Sequence, residues 1–177
     1  MQAWDPAAPG VGEKLPDLEL LDEAGRPLAL SSLPGRGALL ILFFADPGDP
    51  QGLRLLADYR DSTLALFRAG VTVCAIGHAD PAALRFLRSE RGLGFAMLAD
   101  PDATALSRLG MLERTGVFLA GRDLTLKLRS LGSRAAADAM VAFARRGGAR
   151  TRVPLKERAA HFFQAVQHAL RPLKPIR

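Results

Sequence analysis

The segment Phe43-Phe44-Ala45-Asp46-Pro47-Gly48-Asp49-Pro50-Gln51-Gly52-Leu53 ends an apolar strand and begins a helix. The apolar run over 38–44 has the length of a strand and is typical of a central parallel strand covered on both faces. Pro50 suits the first turn of a helix, where its missing N–H costs nothing. Apolar residues then recur at roughly helical spacing as far as Gly70. The segment therefore predicts a strand-to-helix connection in an α/β domain.

Strands and helices alternate along most of the remaining chain. Gly and Asp residues separate the apolar runs and mark turns between them. A βαβ unit followed by an antiparallel hairpin and a packing helix is the thioredoxin-like arrangement, and the alternation alone predicts the α/β class. The predicted elements are strands at 18–21, 27–30, 38–44, 71–76, 95–98, 117–120 and 124–128, and helices at 50–70, 81–91, 102–109 and 133–147.

Five sequence blocks follow one another in the order and at the separations of one known family. The opening segment is similar to F-[FY]-P-x-x-x-T-P-x-C-[TS], and Arg60-Asp61 follows it as an R-D pair. The blocks at 11–18 and 95–101 are similar to G-x-x-[AL]-P-[DE]-F and FPLLSDP, and those at 70–77 and 80–86 are similar to the two parts of GVxVxGISxDxPxxLxxF. Together they resemble the peroxiredoxins, in particular the bacterioferritin-comigratory branch. The resemblance implies a thioredoxin-like three-layer sandwich, with a mixed central sheet and helices on both faces, over residues 1–148.

The residue that carries the chemistry of that family is missing. The resemblance places the peroxide-reducing cysteine at Gly52, the threonine at Asp49 and a frequent resolving cysteine at Ala57, while Pro50 is retained. Only a thiolate attacks the O–O bond, and it needs a helix N-terminus and a nearby cation. Asp49 also places negative charge where an oxyanion-like transition state would form. We therefore expect a degenerate active site that does not catalyse peroxide reduction by the usual route.

The family also carries an arginine just before its sixth strand, in a pattern like R-[ST]-x-F-[LIV]-I-D. Arg114 is close to that position, but anchoring the pattern on Phe118 puts Thr115 in the arginine slot. The sequence leaves both assignments open. In that family the arginine holds the thiolate and the peroxide oxygen. Without a thiolate, Arg114 has no such group to stabilise.

Cys74, the single cysteine, is the alternative nucleophile. One cysteine cannot form an internal disulfide, so a reducing cytoplasm is the expected compartment. Cys74 lies in the middle of an apolar strand, where burial raises the pKa of a thiol and makes it inert. A buried core residue is the favoured interpretation. The alternative function is a thiol-dependent peroxidase or oxidoreductase that works through Cys74.

A weaker alternative is a metal or small-ligand site formed by Asp46, Asp49 and His78. Asp46 and Asp49 follow one predicted strand and His78 follows its neighbour, and ligands in open α/β sheets gather at that edge. Aspartates beside Pro and Gly are, however, ordinary turn and N-cap residues. The sequence favours these structural roles, and we expect no metal and no cofactor.

The positive charge of the chain is concentrated at its C-terminal end. Residues 149–177 contain seven Lys and Arg against one Glu, which equals the net charge of +6 of the whole chain. Apolar residues from Leu155 to Leu170 follow helical spacing, so 149–177 is predicted as a basic amphipathic helical extension. Its apolar face suits packing on the domain itself, a homodimer contact or a protein partner. The predicted partner-binding residues are Phe162, Phe163, Val166 and Arg158.

Composition excludes some classes of function. No apolar run reaches the roughly 18 residues of a transmembrane helix, and the N-terminal residues lack the basic and apolar regions of a secretory signal. The basic tail has no aromatic interleaving and no nucleic-acid motif, so nucleic acid is not an expected partner. The sequence predicts a cytoplasmic, peroxiredoxin-like protein that acts through a protein partner or as a dimer.

Overall fold

A computed structural model describes residues 8–34, 37–132 and 137–143, without the side chain of Asp138. Seven strands, four α-helices and one short 3₁₀ turn lie in these ranges. In chain order they are β1 (Glu19–Leu21), β2 (Pro27–Ala29), the 3₁₀ turn (Leu30–Ser32), β3 (Ala38–Phe44), α1 (Pro50–Arg68), β4 (Val71–Gly77), α2 (Pro81–Arg91), β5 (Ala96–Ala99), α3 (Thr104–Arg108), β6 (Gly116–Ala120), β7 (Leu126–Leu131) and α4 (Ala137–Phe143).

The seven strands form one mixed sheet in the order β2-β1-β5-β4-β3-β6-β7. The three central strands, β5, β4 and β3, run parallel to one another. The outer pairs are antiparallel, including β3 with β6, in which Phe43 pairs with Gly116. This pairing places Thr115, the residue before β6, beside the carboxyl end of β3.

Two apolar cores lie on opposite faces of the sheet. On one face, residues of α1, α2 and α4 pack against inward-facing residues such as Leu42, Phe44 and Ala75. On the other face, α3 and the N-terminal segment pack against Phe43, Cys74 and other residues of the sheet. Alternation along β3 and β4 sends successive side chains to the two cores, as expected for strands covered on both sides. The predicted three-layer α/β sandwich is therefore confirmed for the described domain.

A partly buried ion pair ties the first hairpin to α2. Arg88 Nη1 lies 2.8 Å from Glu23 Oε2, and the two side chains are only 15% and 18% exposed. Glu23 also accepts a hydrogen bond from the backbone N–H of Met97 in β5. The turn between β1 and β2 is thus fixed to two other elements.

Some predicted boundaries were wrong by a few residues. The helix expected over 102–109 begins only at Thr104, because Ala103 has a positive φ of 54° and cannot be its first residue. The strand expected over 124–128 runs from Leu126 to Leu131, because Leu124 also has a positive φ, 64°, and belongs to the preceding turn.

The C-terminal predictions lie outside the described residues. These include the helix start at Ser133, its end at Gly147, the boundary at 148 and the whole extension 149–177 with Phe162. Within the ranges that the structure does describe, no helix is both long and apolar enough to cross a membrane.

Candidate functional site

The N-terminus of α1 is built around Asp49. Pro50 occupies the first helical position, and Asp49 before it has extended backbone dihedrals, as an N-cap residue should. Its Oδ1 accepts a hydrogen bond of 2.9 Å from the N–H of Gln51, and its Oδ2 accepts one of 2.9 Å from the N–H of Gly52. The carboxylate therefore binds the backbone donors that the start of α1 leaves open.

Thr115 reaches the same carboxylate from another element. Its hydroxyl donates a hydrogen bond of 2.6 Å to Asp49 Oδ2, and the residue is only 8% exposed. The backbone carbonyl of Thr115 accepts the N–H of Gly132, which fixes this part of the chain to the end of β7. Thr115, one of the two residues left open by the sequence, therefore places its side chain on Asp49.

Several hydrogen bonds determine the charge state of Asp49. Burial raises the pKa of its carboxyl, but the hydroxyl of Thr115 and the N–H groups of Gln51 and Gly52, with a further contribution from the backbone of Ala45, lower it more. The pKa of Asp49 therefore lies below the usual value for aspartate. Asp49 is ionised at neutral pH and places a negative charge at the start of α1.

At Gly52 the backbone of α1 lies close to the end of β3. A Cβ atom at this position would be 2.5 Å from Cβ of Phe44 and 2.9 Å from Asp49 Oδ2. The neighbour at 2.5 Å is the first atom of a buried side chain, so it cannot rotate out of the way. The ring of Phe44 lies at Gly77, where a Cβ would overlap it as well. Phe44 thus fills the space between the two glycines.

Cys74 lies in the middle of β4 and faces the other core. It is fully buried and pairs in the sheet with Ile41 and Ala96. Burial raises the pKa of the thiol to about 12, so the reactive thiolate is scarce at neutral pH. Its side chain packs with the α3 face, whereas Phe44 packs with the α1 face. The sheet separates Cys74 from the start of α1.

The structure does not assemble Asp46, Asp49 and His78 into a metal centre. Asp46 accepts the N–H of Gly48 at 2.7 Å, which is an ordinary turn contact. His78 Nε2 lies 3.1 Å from the carbonyl oxygen of Pro101 and donates a hydrogen bond to it when Nε2 carries the proton. In the ranges 8–34, 37–132 and 137–143 there is no group of three or more His, Cys, Asp or Glu that could hold a metal ion.

Residues 11–130 match the sequence profile of the AhpC/TSA family. The chain belongs to the AhpC/TSA family. The matched region contains Asp49, Gly52, Cys74 and Thr115, so the whole site described above lies within the family domain. The C-terminal residues 149–177 lie beyond it.

One relative and two solved structures are similar to this chain. A protein of Coxiella burnetii that carries the name peroxiredoxin bcp is 28% identical over 102 residues, which are 58% of this chain and 67% of that protein. Peroxidoxin BcpB from Mycobacterium tuberculosis superposes with a TM-score of 0.72 at 20% identity, over 80% of this chain and 98% of that one. A thiol peroxidase from Chromobacterium violaceum gives 0.66 at 20% identity, over 80% and 89% of the two chains. At these identities the structural matches show the fold alone.

Two contacts of the site were not found from the sequence. The bond from Thr115 to Asp49 joins residues that are 66 positions apart. The position of the Phe44 ring against Gly77 depends on the pairing of β3 with β4. The two glycines themselves, one in the first turn of α1 and one at the end of β4, were the sequence signal for this packing.

Proposed function

We propose that this AhpC/TSA protein does not reduce peroxides by the thiol route and acts instead by binding protein. The observation that carries the proposal is the close approach at Gly52. The position aligned with the peroxide-reducing cysteine has no side chain, and a Cβ there would meet Phe44 at 2.5 Å. Position 52 therefore carries no thiol, and the neighbouring atoms leave too little space for one.

The charge around Gly52 supports the same conclusion. The thiolate route needs a cation and free backbone donors beside the sulfur. Here the N–H groups of Gln51 and Gly52 and the hydroxyl of Thr115 all donate to the carboxylate of Asp49, which places a negative charge beside this position. In this proposal Thr115, not Arg114, fills the arginine slot of the family pattern.

Cys74 gives little support to the alternative, a peroxidase or oxidoreductase that uses this thiol. It is fully buried, its pKa is raised to about 12, and it lies on the opposite face of the sheet from α1. A thiol in that state neither meets a peroxide nor ionises readily near neutral pH.

The catalytic part of the proposal is tested by peroxide consumption. Purified full-length protein is assayed with hydrogen peroxide and an organic hydroperoxide in the presence of dithiothreitol, beside Cys74→Ser. We expect both proteins to remain at the rate of the buffer control. Consumption by the wild type that disappears in Cys74→Ser would contradict the proposal and establish the thiol-dependent alternative.

The binding part of the proposal rests on the C-terminal extension 149–177. Phe162, Phe163 and Val166 supply the apolar face of the predicted helix and Arg158 a charge beside it. The partner is either a second copy of this chain or another protein, and the expected compartment is the cytoplasm. No cofactor is needed for this activity.

A substitution on each side of the predicted helix tests this surface. Phe163→Asp places a charge on the apolar face, and Gln164→Asp places the same charge on the polar face as the matched control. If the chain forms a homodimer, light scattering after gel filtration should show a loss of dimer for Phe163→Asp alone. A dimer that both variants retain would contradict a tail-mediated homodimer. If the wild type is a monomer, affinity capture that is lost in Phe163→Asp alone supports a different protein partner.

A further inference from the structure

The carboxylate of Asp49 receives hydrogen bonds from two elements at once. Oδ2 accepts the N–H of Gly52 in α1 at 2.9 Å and the hydroxyl of Thr115 before β6 at 2.6 Å. Thr115 in turn is anchored to the end of β7 through its own carbonyl and the N–H of Gly132. A continuous chain of hydrogen bonds therefore runs from the helix across the carboxyl end of the sheet.

The atoms beneath this chain are closely packed. The backbone of Gly52 lies against Cβ of Phe44, the ring of Phe44 covers Gly77, and both Phe44 and Thr115 are buried. A working ligand pocket keeps its donors available to the ligand. Here the donors of Gln51, Gly52 and Thr115 are all directed at Asp49.

We propose that the former catalytic position is a closed structural joint, in which Thr115 is a positioning residue that holds Asp49 as the N-cap of α1. This rests on the proposed loss of peroxide chemistry at Gly52. The joint fixes the first turn of α1 to the strand pair β6–β7, so that the helix start and the sheet edge move as one unit. Asp49 and Thr115 then contribute to stability as a pair, because the buried hydroxyl of Thr115 needs an acceptor and the partly buried carboxylate of Asp49 provides it.

A double-mutant cycle measures the pairing. The wild type, Asp49→Asn, Thr115→Val and the double variant are unfolded in urea, with the full chain in each case. If the joint exists, the unfolding equilibrium constant should show a coupling between the two positions of about tenfold, as for a hydrogen bond to an ionised group that is partly exposed. Additive effects would overturn the proposal.

The pKa of Asp49, followed by NMR of its carboxyl carbon, distinguishes positioning from packing alone. Thr115→Val should raise that pKa, and Thr115→Ser, which keeps the hydroxyl, should restore it. Thr63→Val is the matched control, since the hydroxyl of Thr63 bonds to the backbone oxygen of Tyr59 within α1. The pKa of Asp49 should be the same in this control as in the wild type. A pKa that does not respond to Thr115→Val would contradict the proposed role.

A measurement on the wild type alone keeps the proposal testable if variants fail to fold. Hydrogen peroxide and formate are titrated into labelled wild-type protein while the amide signals of Gln51 and Gly52 are followed. A closed joint predicts no saturable shift of either signal. Saturable shifts would show an open pocket and overturn the joint. Peroxide consumption is a separate assay, so an inactive protein with an open pocket would contradict the joint and leave the proposed function standing.

Discussion

Replacing Gly52 by Cys should not regenerate a peroxidase and should destabilise the protein. The new Cβ would lie 2.5 Å from Cβ of Phe44 and 2.9 Å from Asp49 Oδ2, so either α1 or the end of β3 must shift. Overpacking of this kind costs about 1–3 kcal/mol. Cysteine is itself among the weaker helix formers, so replacing glycine by it in a helix returns only about 0.3 kcal/mol. The net loss is about 1–3 kcal/mol, which corresponds to a fall in Tm of about 2–12 °C for a chain of this size.

The introduced thiol should also ionise poorly. A helix N-terminus normally lowers the pKa of a cysteine. In this protein Asp49 already accepts the N–H of Gly52 and would stand beside the sulfur with a full negative charge, which opposes a thiolate. We therefore expect a thiol pKa at or above its ordinary value of about 8.5 and no gain in peroxide consumption.

Gly94 provides the matched control, because a Cβ at that exposed position meets no atom within 4 Å. Scanning calorimetry and the pH dependence of thiol alkylation are measured for Gly52→Cys and Gly94→Cys under reducing conditions. Gly94→Cys should have the Tm of the wild type. The reasoning would be refuted if Gly52→Cys were as stable as this control, or if its thiol ionised below pH 7 and consumed peroxide.

Three further predictions concern other parts of the molecule. Cys74 should react with a maleimide only at the rate of global unfolding, since it is fully buried; rapid labelling of the native protein would contradict this. The pKa of Asp49 is lowered in the folded protein, so its contribution to stability is present above the unfolded-state pKa of about 3.9 and is lost as the pH falls through the lower folded value. Tm measured from pH 7 to pH 3 should therefore fall less steeply for Asp49→Asn than for the wild type. Parallel curves would show that Asp49 makes no such contribution. Glu23→Gln should lower the free energy of unfolding by about 1–2 kcal/mol, because it leaves the partly buried Arg88 without its anion. Asp61→Asn, at an exposed ion pair, is the control and should leave Tm unchanged. Equal effects of the two variants would refute the role of burial.

The central strands could be predicted from the sequence because their amino-acid composition indicates that they are buried. The runs at β3 and β4 are apolar at nearly every position, which only a strand covered on both faces requires. The start of α3 was harder to predict. Asp100, a buried residue, accepts the N–H of Leu106 and delays the helix until after Ala103, whose positive φ is unusual for alanine. A contact over several residues overrode the local helical pattern.

The candidate site could likewise be predicted only in part. Asp49 and Gly52 could be located because both belong to one short segment with a proline at the helix start. The side chain opposite them could not be assigned, since a slip of one residue exchanged Arg114 for Thr115. Only the pairing of Phe43 with Gly116 fixes which residue lies beside the end of β3. Contacts across the sheet depend on register, and a single sequence does not determine register to one residue.

The packing of Phe44 between Gly52 and Gly77 links the substitutions that these three positions can accept. A side chain at position 52 would meet Cβ of Phe44, and one at position 77 would overlap its ring. A side chain at position 77 therefore needs a smaller residue at position 44, which would leave a cavity in the core under α1, whereas one at position 52 needs α1 or β3 to shift. A library of variants at this place should change the three positions together rather than one at a time.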